Sequence, residues 1–126
     1  MRYWDEDHPE WTPDHRAFAE AWRNLPKWVV SSTLTSVGPN ATLISDDIEA
    51  NLRRLKTDLA SEVSVGGTVL AHYVGNLGLI DEYQLYFRPV VLGRGKPFFA
   101  GPRPALRFVA NDLIGEDAMR LTYVPI

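Results

Sequence analysis

The segment that most restricts the fold is EVSVGGTVLAHYV, residues 62–74, in which a β-branched run meets two adjacent glycines and then a helical pattern. Glycine inside regular structure costs about 0.5–1 kcal/mol relative to alanine, so a pair at this junction needs a reason. Without Cβ atoms the backbone can approach a ligand closely or adopt a torsion closed to other residues. The first N–H groups of the following helix have no partners within it and carry partial positive charge, so an anion such as a diphosphate is stabilised there without a lysine. A tight strand-to-helix turn that simply needs small residues explains the same motif, and the motif alone leaves both explanations open.

The pattern on either side sets the fold class. TPDHRAFAEAWRNLP predicts a short helix with Asp14 as N-cap, Phe18, Ala21, Trp22 and Leu25 on one face, and Pro26 as its end. KWVVSSTL (27–34) and ATLIS (41–45) predict strands separated by the SVGPN turn. SDDIEANLRRLKTDLA predicts a helix with an Asp46/Glu49 capping box and an apolar stripe of Ile48, Leu52, Leu55 and Leu59. Arg53, Arg54 and Lys56 then form a solvated face that suits the helix dipole. EVSVGG predicts a strand, and TVLAHYVGNLG a helix closed by Gly78. IDEYQLYFRPVVLG predicts a strand interrupted at Pro89. ALRFVAND and MRLTYVPI alternate apolar and polar residues and predict an antiparallel pair. Strand–helix alternation implies parallel pairing through right-handed crossovers. The expected architecture is therefore α/β in a single domain over residues 1–126: a mostly parallel central sheet flanked by helices, with antiparallel C-terminal strands.

Composition excludes several classes. A formal charge of −3 and the lack of any Lys/Arg run argue against a nucleic-acid partner. No stretch approaches the ~20 apolar residues that span a bilayer, so no membrane partner is expected. The absence of cysteine removes disulfides and cysteine-based metal sites, which fits a cytoplasmic location. His8, His15 and His72 are scattered and predict no metal site. Ser31, Ser32 and Thr33 end a strand, where hydroxyls face ligands in open α/β sheets; a local Ser/Thr turn explains them equally well. Asp81 and Glu82 could be paired acid–base carboxylates, since two adjacent acids can do acid–base work. GRGKP lacks the Ser/Thr and helix of a phosphate loop, so it predicts a connection. Trp22 and Trp28 are expected in the core, whereas Trp4 and Trp11, in a loop, are expected to cap a pocket or join an interface.

KWVVSSTL, VGGTVLAHYV, GLIDEYQLYFRPVVLGRGKPFF and LTYVPI together resemble the C-terminal reductase domain of bacterial bifunctional riboflavin-biosynthesis deaminase-reductases and its stand-alone relatives, which are similar in fold to dihydrofolate reductase. The GLIDEY…PVVLGRGKPFF block is the most specific part. The resemblance implies a dihydrofolate reductase-like domain that binds NADPH and passes hydride to a small heterocyclic or carbonyl substrate; the alternative is a catalytically inactive fragment of that fold acting as an oligomeric structural or nucleotide-binding module. The resemblance places Ser31, Ser32 and Thr33 near the adenosine 2′-phosphate, with Ser32 where the family often has arginine. It places Gly66, Gly67, Thr68, Val69 and Leu70 near the pyrophosphate and nicotinamide, and implies a cis bond between the two glycines. It assigns no catalytic acid, and for Asp81 and Glu82 it implies a structural role at a strand start instead. The family normally opens with a buried strand and a GRxTY-like turn ahead of the region resembling MRYWDEDHPEW. A sheet short of a central strand leaves unpaired edges and apolar surface, so a homodimer is expected.

Overall fold

A computed structural model of the chain describes residues 2–126. The elements are a 3-10 turn at Arg2–Trp4, α1 (Pro13–Asn24), β1 (Lys27–Val30), β2 (Ala41–Ile44), α2 (Ile48–Asp58), α3 (Thr68–Asn76), β3 (Tyr83–Phe87), β4 (Leu106–Ile114) and β5 (Ala118–Pro125). The fold is mixed α/β, and the chain divides into two compact units, Met1–Arg54 and Leu55–Ile126.

In the first unit the N-cap of α1 is Thr12, not Asp14. Thr12 Oγ1 accepts from the His15 N–H at 3.3 Å while His15 Nδ1 accepts from the Thr12 N–H at 3.4 Å, a reciprocal cap reinforced by Pro13 in the first turn. Ala19 is the buried residue of the helix, and Phe18 and Leu25 are about half exposed. Ahead of α1, Trp11 is the buried centre of an aromatic cluster. It donates from Nε1 to the Tyr3 hydroxyl at 3.0 Å and lies 5.3 Å from the Trp4 ring. Trp11 thus packs within its own unit rather than capping a pocket or joining an interface; a local run of aromatic partners, invisible to helix or strand periodicity, decides this. Arg23 locks the segment down through Nε to the Trp4 carbonyl and Nη2 to Asp7, both at 2.9 Å. β1 and β2 pair in parallel, Lys27 opposite Ala41 through Val30 opposite Ile44.

In the second unit β5 lies between β3 and β4, antiparallel to both. Tyr83, Leu85 and Phe87 stand opposite Tyr123, Leu121 and Met119 on one face, and a bulge between Phe108 and Ala110 bends β4. The C-terminal pair predicted from alternation is present. The mostly parallel sheet is not: parallel pairing is confined to β1 and β2, and the other three strands form a separate antiparallel sheet. Residues 62–67 form no strand. Val63 and Val65 are 44% and 39% exposed, and β propensity without a neighbouring ladder leaves that segment unpaired. β3 ends at Phe87, two residues before Pro89, as a proline without an N–H to donate requires.

α3 closes with a paired cap: the Leu79 N–H reaches the Val74 carbonyl at 3.2 Å and the Gly78 N–H reaches Gly75 at 3.0 Å, with Gly78 at φ +70°. Below the helix, Tyr83 is buried, and a Cβ on Gly75 would stand 2.7 Å from its hydroxyl. Lys56, near the end of α2, donates to the Leu79 carbonyl at 2.8 Å and to both Asp81 oxygens at 2.7 Å. Asp81 therefore fastens the start of β3 to α2, and Glu82 accepts from Gln84, so neither carboxylate is presented as an acid–base pair.

Candidate functional site: the glycine pair and the start of α3

Gly67 is the N-cap of α3, with φ +90° and ψ 129°. Only glycine adopts that backbone without strain, and it turns the chain from the 62–66 segment into the helix. No cis peptide bond occurs among the described residues, so the cis Gly66–Gly67 bond expected from the family resemblance is absent. The reversal is taken up by the φ of Gly67, which costs glycine far less than a cis amide bond.

The helix start is open. The Ala71 N–H is the first to bond back, to the Gly67 carbonyl at 3.0 Å, which leaves the N–H groups of Thr68, Val69 and Leu70 without an intrahelical acceptor. No side chain caps them. Gly66 and Gly67 are exposed, and a Cβ built on either meets nothing within 4 Å. Val69 is 77% exposed. Three convergent N–H donors, the positive end of a nine-residue helix and a side-chain-free approach form a cradle whose chemistry suits a diphosphate.

Ser31, Ser32 and Thr33 lie in the first unit, and Gly66 to Leu70 in the second. The Ser31 N–H extends the β1–β2 ladder to the Ile44 carbonyl at 3.1 Å. Its Oγ accepts from the Leu34 N–H at 3.1 Å and from the Thr33 N–H at 3.3 Å, and lies 3.4 Å from Thr33 Oγ1. The Ser31 hydroxyl is thus engaged in a local Ser/Thr turn. Ser32 and Thr33 are exposed.

Sequence reasoning did not single out the way His72, one turn into α3, meets the connection ahead of β4. Its ring lies against Gly101, where a Cβ would overlap it, and Nε2 is 3.2 Å from Asn76 Nδ2. The signal was the glycine inside FAGPRP, which predicts close approach without saying to what.

The profile of the RibD C-terminal domain family matches residues 1–119. The uncharacterised protein YyaP of Bacillus subtilis (strain 168) is 37% identical over 84 residues, which is 64% of this chain and 45% of that protein. The chain therefore spans less than half the length of that relative. Among solved structures, a protein from Shewanella sp. PV-4, provisionally assigned to riboflavin biosynthesis, superposes with a TM-score of 0.66 at 20% identity. The match covers 89% of this chain and 70% of the other, and it shows the shared fold.

Proposed function

The chain belongs to the RibD C-terminal domain family, and on that premise we propose that it is an NADPH-dependent reductase with a dihydrofolate reductase-like site, acting in the riboflavin pathway or on a related small heterocyclic or carbonyl substrate. The observation that carries the reading is the start of α3: three free N–H donors beside two exposed glycines. The Thr68, Val69 and Leu70 N–H groups would hold the diphosphate, and Gly66 and Gly67 would let it lie against the backbone. Ser31, Ser32 and Thr33 are assigned to the 2′-phosphate of the adenosine ribose by the family resemblance. Ser32 and Thr33 have exposed side chains to contribute, while Ser31 orders the turn that presents them. When bound, the nicotinamide would supply the hydride; the protein's part is to orient it and exclude water. The family's own substrate, 5-amino-6-(5-phosphoribosylamino)uracil, is the first to assay.

The proposal includes a homodimer in the cytoplasm. Phe87, Met119 and Leu113 form a cross-strand apolar row on β3, β5 and β4 that is 53%, 40% and 67% exposed. Light scattering after size exclusion reports that state directly.

The function is tested by titrating NADPH and following its own emission. A saturable change is expected for the parent. Val69→Glu sets a carboxylate on an exposed position of the first helical turn, where the fold tolerates it and the diphosphate does not. It should weaken binding about tenfold or more. Equal binding by the parent and Val69→Glu, or no response at millimolar NADPH, would remove the site.

A further inference from the structure

The second unit contains a cavity of about 200 Å³ lined by Leu85, Phe99, Arg103, Leu106 and Tyr123. Leu85, Tyr123 and Leu106 come from three adjacent strands, and the register of β3, β5 and β4 sets them on one face of the sheet. Phe99 and Arg103 come from the connection that returns to β4. The aromatic walls are held by neighbours. Phe99 meets Tyr83 at 5.7 Å and Phe98 at 4.9 Å, and Tyr123 meets Phe108 edge-on at 5.6 Å.

Two polar groups break this apolar lining, and neither has a partner. Among the described residues no carboxylate or carbonyl pairs with the Arg103 guanidinium, and the Tyr123 hydroxyl makes no hydrogen bond. Of the unit's arginines, Arg88 pairs with Asp117 and Arg120 with Asp112; Arg94, Arg103 and Arg107 have no such partner among the described residues, and of these three Arg103 lines the cavity. An exposed guanidinium with no partner of its own is free to take an anion through charge-assisted hydrogen bonds, and here it stands beside apolar walls. The volume sets the other half of the ligand. An apolar cavity of about 150 Å³ accommodates benzene, so the space between these walls admits a single ring.

We propose that this cavity is a second small-molecule site, distinct from the helix start of α3, which takes a one-ring aromatic anion with its ring between Phe99, Tyr123 and the two leucines and its charge on Arg103. The proposal does not rest on nicotinamide chemistry and stands whether or not NADPH binds.

The probe is phenyl phosphate, followed by amide chemical shifts of the ¹⁵N-labelled full chain. Benzyl alcohol supplies the ring alone and inorganic phosphate the charge alone. Saturable shifts are expected at Leu85, Phe99, Leu106 and Tyr123 with phenyl phosphate, and weaker binding with either half-probe. Arg103 is exposed, so Arg103→Ala should fold normally and weaken phenyl phosphate about tenfold or more, as loss of a charge-assisted hydrogen bond does. Arg103→Lys should restore part of that loss. The proposal is overturned by equal affinity in Arg103→Ala, by shifts centred elsewhere, by a half-probe binding as tightly as the whole, or by no response at tens of millimolar ligand.

Discussion

Gly75→Ala gives a sharp test of the packing between α3 and the antiparallel sheet, because two opposing effects can be sized. Alanine is the better helix former by about 0.8–1.0 kcal/mol, so the substitution would ordinarily stabilise α3. Here the new Cβ would stand 2.7 Å from the Tyr83 hydroxyl. Tyr83 is only 8% exposed and its ring rests on Phe99, so the hydroxyl cannot swing away freely. Overpacking of that kind costs about 1–3 kcal/mol, which leaves Gly75→Ala a net loss of about 1 kcal/mol. Tyr83→Phe deletes the hydroxyl, which makes no hydrogen bond among the described residues, and should by itself change stability by less than about 0.5 kcal/mol. In the double variant the nearest atoms to the new Cβ are Ile80 Cδ1 at 3.7 Å and the residue 83 ring carbon at 3.9 Å, both ordinary contacts. The helix gain then emerges, so Gly75→Ala/Tyr83→Phe should be more stable than the parent by up to about 1 kcal/mol, a coupling near 2 kcal/mol. Urea unfolding followed by circular dichroism on all four proteins completes the cycle. Stabilisation by Gly75→Ala alone, or additive effects of the two changes, would refute the contact.

Three further outcomes are expected. Gly67→Ala forces an L residue to φ +90° and should cost about 1–3 kcal/mol in the same urea assay, whereas Gly66→Ala, with open space around its Cβ, should cost under about 1 kcal/mol. Arg23 holds the Asp7 carboxyl below its ordinary value of 3.8 by a hydrogen bond and by charge, so the pair's stabilisation is present above 3.8 and is lost as pH falls through the lower folded value. Carboxyl NMR should find the Asp7 midpoint below 3.8, and Arg23→Ala should return it upward. Lys56→Ala removes the tie from α2 to the Leu79 carbonyl and Asp81, and because the lysine is 40% and Asp81 82% exposed the cost should stay under about 1 kcal/mol; hydrogen exchange should quicken at Leu79–Tyr83 first.

What could be foreseen from residues alone follows the range over which each signal acts. α1, α2, α3 and the β4–β5 pair were legible, because periodicity and caps are local: Gly78 closes α3 where a glycine past the last apolar residue should. Thr12 displaced Asp14 as cap because both are good acceptors and only His15 in three dimensions chooses between them. Val63 and Val65 have strand composition without a ladder, and a ladder is a long-range fact. Likewise the alternation of strands and helices implied one mostly parallel sheet, yet β3 finds its partner in β5, some 36 residues on, and runs against it. At the candidate site the need for glycine at position 67 was visible, while the torsion that meets the need was not. The Arg103 cavity had no signature at all, since its five residues are spread from 85 to 123 and converge only through sheet register.

The division of the chain after Arg54 also sorts its chromophores. Trp4, Trp11, Trp22 and Trp28 all fall before that point, and four of the five tyrosines, at 73, 83, 86 and 123, fall after it. Indole emission excited at the red edge therefore reports the amino-terminal half alone, and tyrosine absorbance is weighted to the carboxy-terminal half. One heating ramp watched at both wavelengths would reveal, with no label attached, whether the halves melt as one cooperative body or in succession.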